Sequence, residues 1–190
     1  GSSNASCDGA CASGHVCPPG STASKSQSCP KGTFRGQRGG ESLSDCHSCP
    51  PGRYGDAEGA TAARCTGACA AGFYCIAGST TRNAAMCPSG RFGAGGSSNA
   101  SCSAPCPAGH ICGFGTTHLN GTAPPRPCRV GTYRDQVGGE NPETDCTFCP
   151  PGRYGTAEGL TSSAGCRTCP SASACSNGVK LRCSKPEGTM

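Results

Sequence analysis

Cys29-Pro-Lys-Gly-Thr-Phe34 and, one loop later, Cys46-His-Ser-Cys49-Pro-Pro-Gly-Arg-Tyr54 form the stretch whose reading decides the fold. The pattern Cys-x-x-Gly-x-(aromatic or branched) starts at Cys11, Cys29, Cys49, Cys69, Cys87, Cys106, Cys128 and Cys149, with a degraded ninth copy at Cys169. The starts are separated by 18, 20, 20, 18, 19, 22, 21 and 20 residues, and Gly stands three places after the Cys in eight of nine copies. So regular a spacing marks a tandem array. A longer period lies over the short one. Gly1-Ser-Ser-Asn-Ala-Ser-Cys7 recurs letter for letter at 96–102, and Cys49-Pro-Pro-Gly-Arg-Tyr-Gly recurs from Cys149. The chain therefore reads as two super-repeats, 1–95 and 96–190.

Each motif position has a physical reason. Pro after Cys presets φ, and Gly at the third position supplies either positive φ or close backbone approach, so each copy opens on a tight turn. The fifth position holds Val16, Phe34, Tyr54, Tyr74, Phe92, Ile111, Tyr133 and Tyr154, which uses all four Tyr of the protein. Its repetition in copy after copy favours packing over acid catalysis, so this residue is expected to be the local core, lying over a disulfide. Residues 36–44 and 93–101 are rich in Gly, Ser or Ala and suit short irregular strands and turns; no apolar stripe of helical period occurs.

Composition supports cross-linking over burial. Of 190 residues, 20 are Cys, 31 Gly and 16 Pro, while Leu, Ile, Val and Phe together number 15. The hydrophobic fraction of 34% is mostly Cys and Ala, which excludes a single compact apolar core. With so few large apolar side chains, order must come from cross-links. Disulfides at this density require an oxidising compartment, so the chain reads as secreted, lumenal or cell-surface. Three N-glycosylation acceptors agree: Asn4, Asn99 and Asn120. No apolar stretch approaches a membrane span, and neither a start Met nor a signal peptide precedes Gly1, so the sequence is expected to be a piece of a longer secreted protein. The net charge of +5 is spread without a basic run or an aromatic and basic platform, which argues against nucleic acid as a partner.

The repeat suggests a pairing in which each motif Cys closes on the first Cys of the following pair: Cys29–Cys46, Cys49–Cys65, Cys87–Cys102, Cys128–Cys146 and Cys149–Cys166. Copies with a second Cys six places on would close locally, as Cys11–Cys17, Cys69–Cys75, Cys106–Cys112 and Cys169–Cys175. A pairing of these short-loop cysteines that links neighbouring copies also uses every Cys. Cys7 and Cys183 remain at the two ends, each lacking the partner that truncation would remove. Copies that touch only their neighbours are expected to stack into an elongated rod.

Zinc is the main competing chemistry. Cys146-Thr-Phe-Cys149 and Cys166-Arg-Thr-Cys169, sixteen residues apart, have the spacing of a four-cysteine site. The first super-repeat breaks that spacing at Cys65-x3-Cys69, and the surrounding cysteines would still need an oxidising environment, so no metal is assigned. None of the CxxC pairs opens a helix in a βαβ pattern, which disfavours a redox centre. His15, His47, His110 and His118 have no nucleophile and carboxylate set beside them, and no catalytic residue or cofactor is assigned. Asp45, Asp56, Glu58, Asp145 and Glu158 are acidic spots without the carboxylate density of a Ca²⁺ loop.

Cys-Pro-x-Gly-x-(Phe/Tyr) followed by a loop and Cys-x2-Cys-Pro-x-Gly resembles the cysteine-rich repeat of ephrin receptor tyrosine kinases, a relative of epidermal growth factor and tumour necrosis factor receptor modules. Residues 29–65 and 128–166 carry the resemblance best. The Cys-x5-Cys copies, such as Cys69 to Cys75 and Cys106 to Cys112, depart from the receptor form and are similar to long arrays in surface proteins of algae, ciliates and other protists. The resemblance implies a small disulfide-rich fold, an elongated tandem array of short irregular β-hairpins and turns with little or no helix. It implies an extracellular, cell-surface or ciliary-surface location and a structural role without catalysis: a glycosylated rod in a filament, ciliary hair (mastigoneme) or cell coat. Its partners would be further copies of itself or other extracellular structural proteins, and N-linked glycans. The alternative is a receptor or adhesin ectodomain, with Arg35, Arg53, Arg91, Arg134 and Arg153 as contact residues.

Overall fold

The computed structural model describes residues 9–170 and 174–181. Nine two-stranded antiparallel hairpins follow one another; all but the last open just after a motif glycine and close just before the next motif cysteine. In order, they pair His15–Val16 with Gln27–Ser28, Thr33–Phe34 with His47–Ser48, Arg53–Tyr54 with Gly67–Ala68, and Phe73–Tyr74 with Ala85–Met86. Next come Arg91–Phe92 with Ala104–Pro105, His110–Ile111 with Arg126–Pro127, Thr132–Tyr133 with Thr147–Phe148, and Arg153–Tyr154 with Arg167–Thr168. The last, Ala174–Ser176 with Val179–Leu181, is one residue longer per strand. Helix among the described residues is confined to single turns at Leu43–Asp45, Pro142–Asp145 and Ser163–Gly165, each immediately before the second cysteine of a long loop. Asn141 caps the middle one, its side-chain oxygen accepting from the Glu143 N–H, with Pro142 at the first helical position.

The chain divides into two compact units. One comprises the described residues through Cys87 together with Gly93–Ser103; the other comprises Pro88–Phe92 together with those from Ala104 onward. Within the first lie the bridges Cys11–Cys17, Cys29–Cys46, Cys49–Cys65, Cys69–Cys75 and Cys87–Cys102. Within the second lie Cys106–Cys112, Cys128–Cys146, Cys149–Cys166 and Cys169–Cys175. These nine pairs are the ones the repeat suggests, short loops included. The four cysteines with zinc spacing are all spent in them: Cys146 on Cys128, Cys149 on Cys166 and Cys169 on Cys175. Cys7, Cys183 and Asn4 lie outside the described residues.

Two-stranded pieces only two residues long have no stability of their own in water. The buried side chains show what holds them. Of the fourteen buried apolar residues described, twelve are cysteines; the other two are Val16 and Ile111. The interior is thus sulfur. The fifth motif position departs from its expected role as a buried core. Only the branched Val16 and Ile111 are fully enclosed, while Phe34, Tyr54, Tyr74, Phe92, Tyr133 and Tyr154 stay half-buried. A repeat of about twenty residues, rich in Gly, Ser and Ala, lacks the side-chain volume to enclose a ring, whereas a branched aliphatic fits. Ile111 packs against Cys128 and Cys146 of the following repeat. The rings instead rest on cross-strand partners: Phe34 meets His47 at 5.9 Å between ring centres, and Tyr54 covers Gly67.

Deleting one long-loop bridge, Cys29→Ser with Cys46→Ser, removes a 17-residue closure and is expected to cost about 3 kcal/mol. Chemical denaturation of the fully oxidised parent and the double variant measures it. The six-residue closure Cys69–Cys75, deleted in the same way, is expected to cost less because a shorter loop restricts the unfolded chain less.

Candidate functional site

The feature that recurs along the chain and that no isolated repeat could form is a backbone seam between repeats. It starts from the motif turn. In Cys49-Pro-Pro-Gly-Arg, the Arg53 N–H donates to the Pro50 carbonyl at 3.2 Å, with Pro51 at the second turn position and Gly52 at the third at φ +84°. That is a type II turn, which needs positive φ at its third position. The turn aims the glycine amide outward, away from its own repeat.

Three hydrogen bonds then tie neighbours. The motif glycine N–H donates to the carbonyl just after the fifth-position residue of the next repeat: Gly14 to Arg35, Gly32 to Gly55, Gly52 to Cys75 and Gly72 to Gly93 in the first unit, Gly90 to Cys112 and Gly109 to Arg134 in the second, all at 2.8–2.9 Å. The same glycine's carbonyl accepts from the next motif cysteine, as in Cys29 to Gly14 and Cys128 to Gly109. Finally, the motif cysteine's carbonyl accepts from a glycine in the next repeat's loop: Gly39 to Cys11, Gly59 to Cys29, Gly78 to Cys49, Gly96 to Cys69, Gly138 to Cys106 and Gly159 to Cys128. Every one of these loop glycines has positive φ.

This second glycine, four or five places after the aromatic, went unread in the sequence although its spacing repeats as faithfully as the first. It bridges two repeats. While its N–H holds the preceding cysteine, its carbonyl presses on the motif glycine one repeat further back. A Cβ on Gly14 would strike the Gly59 carbonyl oxygen, one on Gly32 that of Gly78, one on Gly52 that of Gly96, and one on Gly109 that of Gly159. Both reasons for glycine, φ and close approach, hold at once.

The arginines occupy a different place from the one their pattern suggests. Arg35 donates through Nη1 to the Asp45 carbonyl (2.9 Å), Arg134 likewise to that of Asp145 (3.1 Å), Arg53 through Nε to that of Arg64 (2.6 Å), and Arg153 through Nη1 to that of Cys166 (2.9 Å). Each acceptor is the second cysteine of that repeat's long loop or the residue before it. The guanidinium thus holds the strand that carries the bridging sulfur. Arg35, Arg53, Arg91 and Arg134 are half-buried and only Arg153 is exposed, so the row of arginines is not the free contact surface expected of it. Asp45 and Asp145 complete the same device. The Asp45 carboxylate accepts from the Glu41 and Ser42 N–H groups (2.8 and 3.1 Å), and that of Asp145 from the Glu140 and Asn141 N–H groups (2.7 and 3.1 Å). Those backbone donors, with a smaller contribution from Arg35 or Arg134, hold both carboxyls below the usual Asp range.

The remaining candidates do not converge. Asp56 accepts from the Thr66 hydroxyl, and Glu58 and Glu158 are exposed. His15 and His110 take equivalent places, each Nδ1 lying 3.1 Å from a backbone carbonyl two residues earlier, while His118 sits on an exposed loop. Among the described residues, no three His, Cys, Asp or Glu side chains gather as metal ligands. No helix among them is long and apolar enough to cross a membrane. Asn99 and Asn120 are exposed. Geometry defines the class: a small, disulfide-rich, β-hairpin-rich fold. No protein-family model matches the chain and no curated protein matches its sequence.

Two measurements check the seam and its clamps. Gly32→Ala combines a left-handed φ with a backbone collision, whereas Gly152→Ala has the same φ but open space. The second is expected to cost about 1–2 kcal/mol and the first about 1–3 kcal/mol more in equilibrium unfolding. For the carboxylates, a lowered native pKa means stability that is present above the unfolded value and is lost as pH falls through the native one. The melting temperature should therefore drop on acidification below about pH 4, and the drop should shrink in Asp45→Asn with Asp145→Asn.

Proposed function

We propose that the chain is a non-enzymatic structural and assembly segment of a large secreted or cell-surface glycoprotein, a disulfide-stapled stretch of ephrin-receptor-like repeats that builds an extracellular filament, ciliary hair (mastigoneme) or cell coat. The observation that carries this reading is the seam. Its hydrogen bonds and glycine contacts repeat from one copy to the next, an arrangement suited to length and stiffness, while the candidate chemical groups stay scattered. Nine bridges in so short a chain favour an oxidising compartment outside the cytosol. The rod expected from the repeat belongs to this proposal. The receptor reading leaned on a free row of arginines, and the engagement of Arg35, Arg53, Arg134 and Arg153 with backbone carbonyls weakens it.

Electron microscopy of the native material tests the proposal. A filament in which one contact recurs between subunits is the expected image. A soluble, monodisperse monomer that binds one ligand tightly at a single site would overturn it in favour of the receptor reading.

A further inference from the structure

Within the second compact unit, one hollow differs from the others. Phe92, Pro107, Leu119 and Pro125, with the loop residues His118 and Asn120, enclose about 370 Å³ with an almost wholly apolar lining. Leu119 is 59% exposed, so apolar surface lies open where a soluble loop would ordinarily be polar. The rim of this hollow is a glycosylation sequon, Asn120-Gly121-Thr122. The loop that carries it is built to stand out. The Thr117 N–H donates to the Ala123 carbonyl (2.8 Å), the Thr117 hydroxyl oxygen accepts from the Ala123 N–H (3.1 Å), and the Gly121 N–H donates to the His118 carbonyl (2.8 Å). A Cβ on Gly121 would collide with the Thr117 side chain, so the tight turn requires glycine there. Asn120 and Thr122 are both exposed, and among the described residues the Asn120 amide makes no hydrogen bond. Asn99 differs: its side-chain oxygen accepts from the Ser101 N–H at 2.9 Å.

We propose that Asn120 is an N-glycosylated residue whose first N-acetylglucosamine folds back and lays its apolar face and acetyl methyl into the hollow walled by Phe92, Pro107, Leu119 and Pro125. The inference rests on the reading of the chain as a secretory-pathway glycoprotein. In the step itself, the Asn120 amide nitrogen attacks the anomeric carbon of a lipid-diphosphate-linked oligosaccharide. A C–N bond forms, the C–O bond to the diphosphate breaks, the lipid diphosphate departs with the bonding pair, and the amide loses one proton to a base; no electron transfer is needed. Once attached, the sugar is held at the rim by its own covalent link, so its docking pays little of the entropy that a free ligand would. The sugar's axial C–H groups carry partial positive charge and suit the negative face of the Phe92 ring, and burial of Leu119 and the prolines adds apolar area.

The test uses the full chain secreted from eukaryotic cells. Glycopeptide mass spectrometry reads occupancy at Asn120, and endoglycosidase trimming to one sugar gives a sample for nuclear magnetic resonance. The expected result is an occupied Asn120 whose acetyl methyl shows cross-relaxation to the Phe92 ring, with amide exchange at Gly121 and Ala123 several-fold slower than in Asn120→Gln. Leu119→Ser, which leaves the sequon and an exposed position, should keep occupancy and lose the cross-relaxation. An occupied Asn120 whose methyl shows no contact with Phe92, or an unoccupied Asn120 in a fully oxidised secreted chain, overturns the inference and leaves the extracellular reading standing. Retention inside the cell with free thiols and unmodified Asn120 defeats both.

Discussion

The covalent closure of short loops is the constraint on which the rest of this structure depends. A hairpin two residues long offers too few hydrogen bonds to offset the entropy of ordering it. Here each hairpin is fixed because a sulfur bridge ties the loop beside it, and the buried apolar positions are almost all the bridging cysteines themselves. The bridges therefore do two things at once. They restrict the unfolded chain, and they supply the packed interior that Leu, Ile, Val and Phe supply in an ordinary domain.

The bridges alone would leave a string of separate loops. The glycine seam turns them into a structure: motif glycine to next repeat, motif cysteine to loop glycine, and loop-glycine carbonyl onto the motif glycine one repeat further back. Because backbone atoms make these contacts, the loops can vary in length and in side chains while the docking stays the same. The arginine and aspartate clamps work one level further out. Arg35 with Asp45 and Arg134 with Asp145 hold the second cysteine's approach at equivalent places in the two super-repeats. Backbone carbonyls of the same repeats thus engage Arg35, Arg53, Arg134 and Arg153.

Much of this was legible in letters. The motif turn and the near absence of helix follow from the twenty-residue period, which also suggests the long-loop pairs; the short-loop cysteines it leaves open between local closure and a link to a neighbouring copy, and in the structure they close locally. Four features were not legible. The half-burial of the Tyr and Phe rings depends on how much volume a repeat can enclose, which only the packed chain reveals. The role of Gly39, Gly59 or Gly159 depends on contact with two other repeats, and attention to the cysteine frame hid a spacing that was there to be read. The arginines were visible as a recurrent pattern, but their targets are backbone carbonyls, which carry no signature in sequence. Likewise the hollow beside Asn120 joins Phe92 to a loop more than twenty residues away, and only folding brings them together.

The most direct test of the central claim is disulfide mapping of the native chain by mass spectrometry of non-reduced peptides. The account predicts the local pairs Cys11–Cys17, Cys69–Cys75 and Cys106–Cys112 alongside long closures such as Cys29–Cys46 and Cys128–Cys146, with no free thiol among these cysteines. Bridges running from one short-loop cysteine to a neighbouring repeat, or free thiols accompanied by bound zinc, would contradict it.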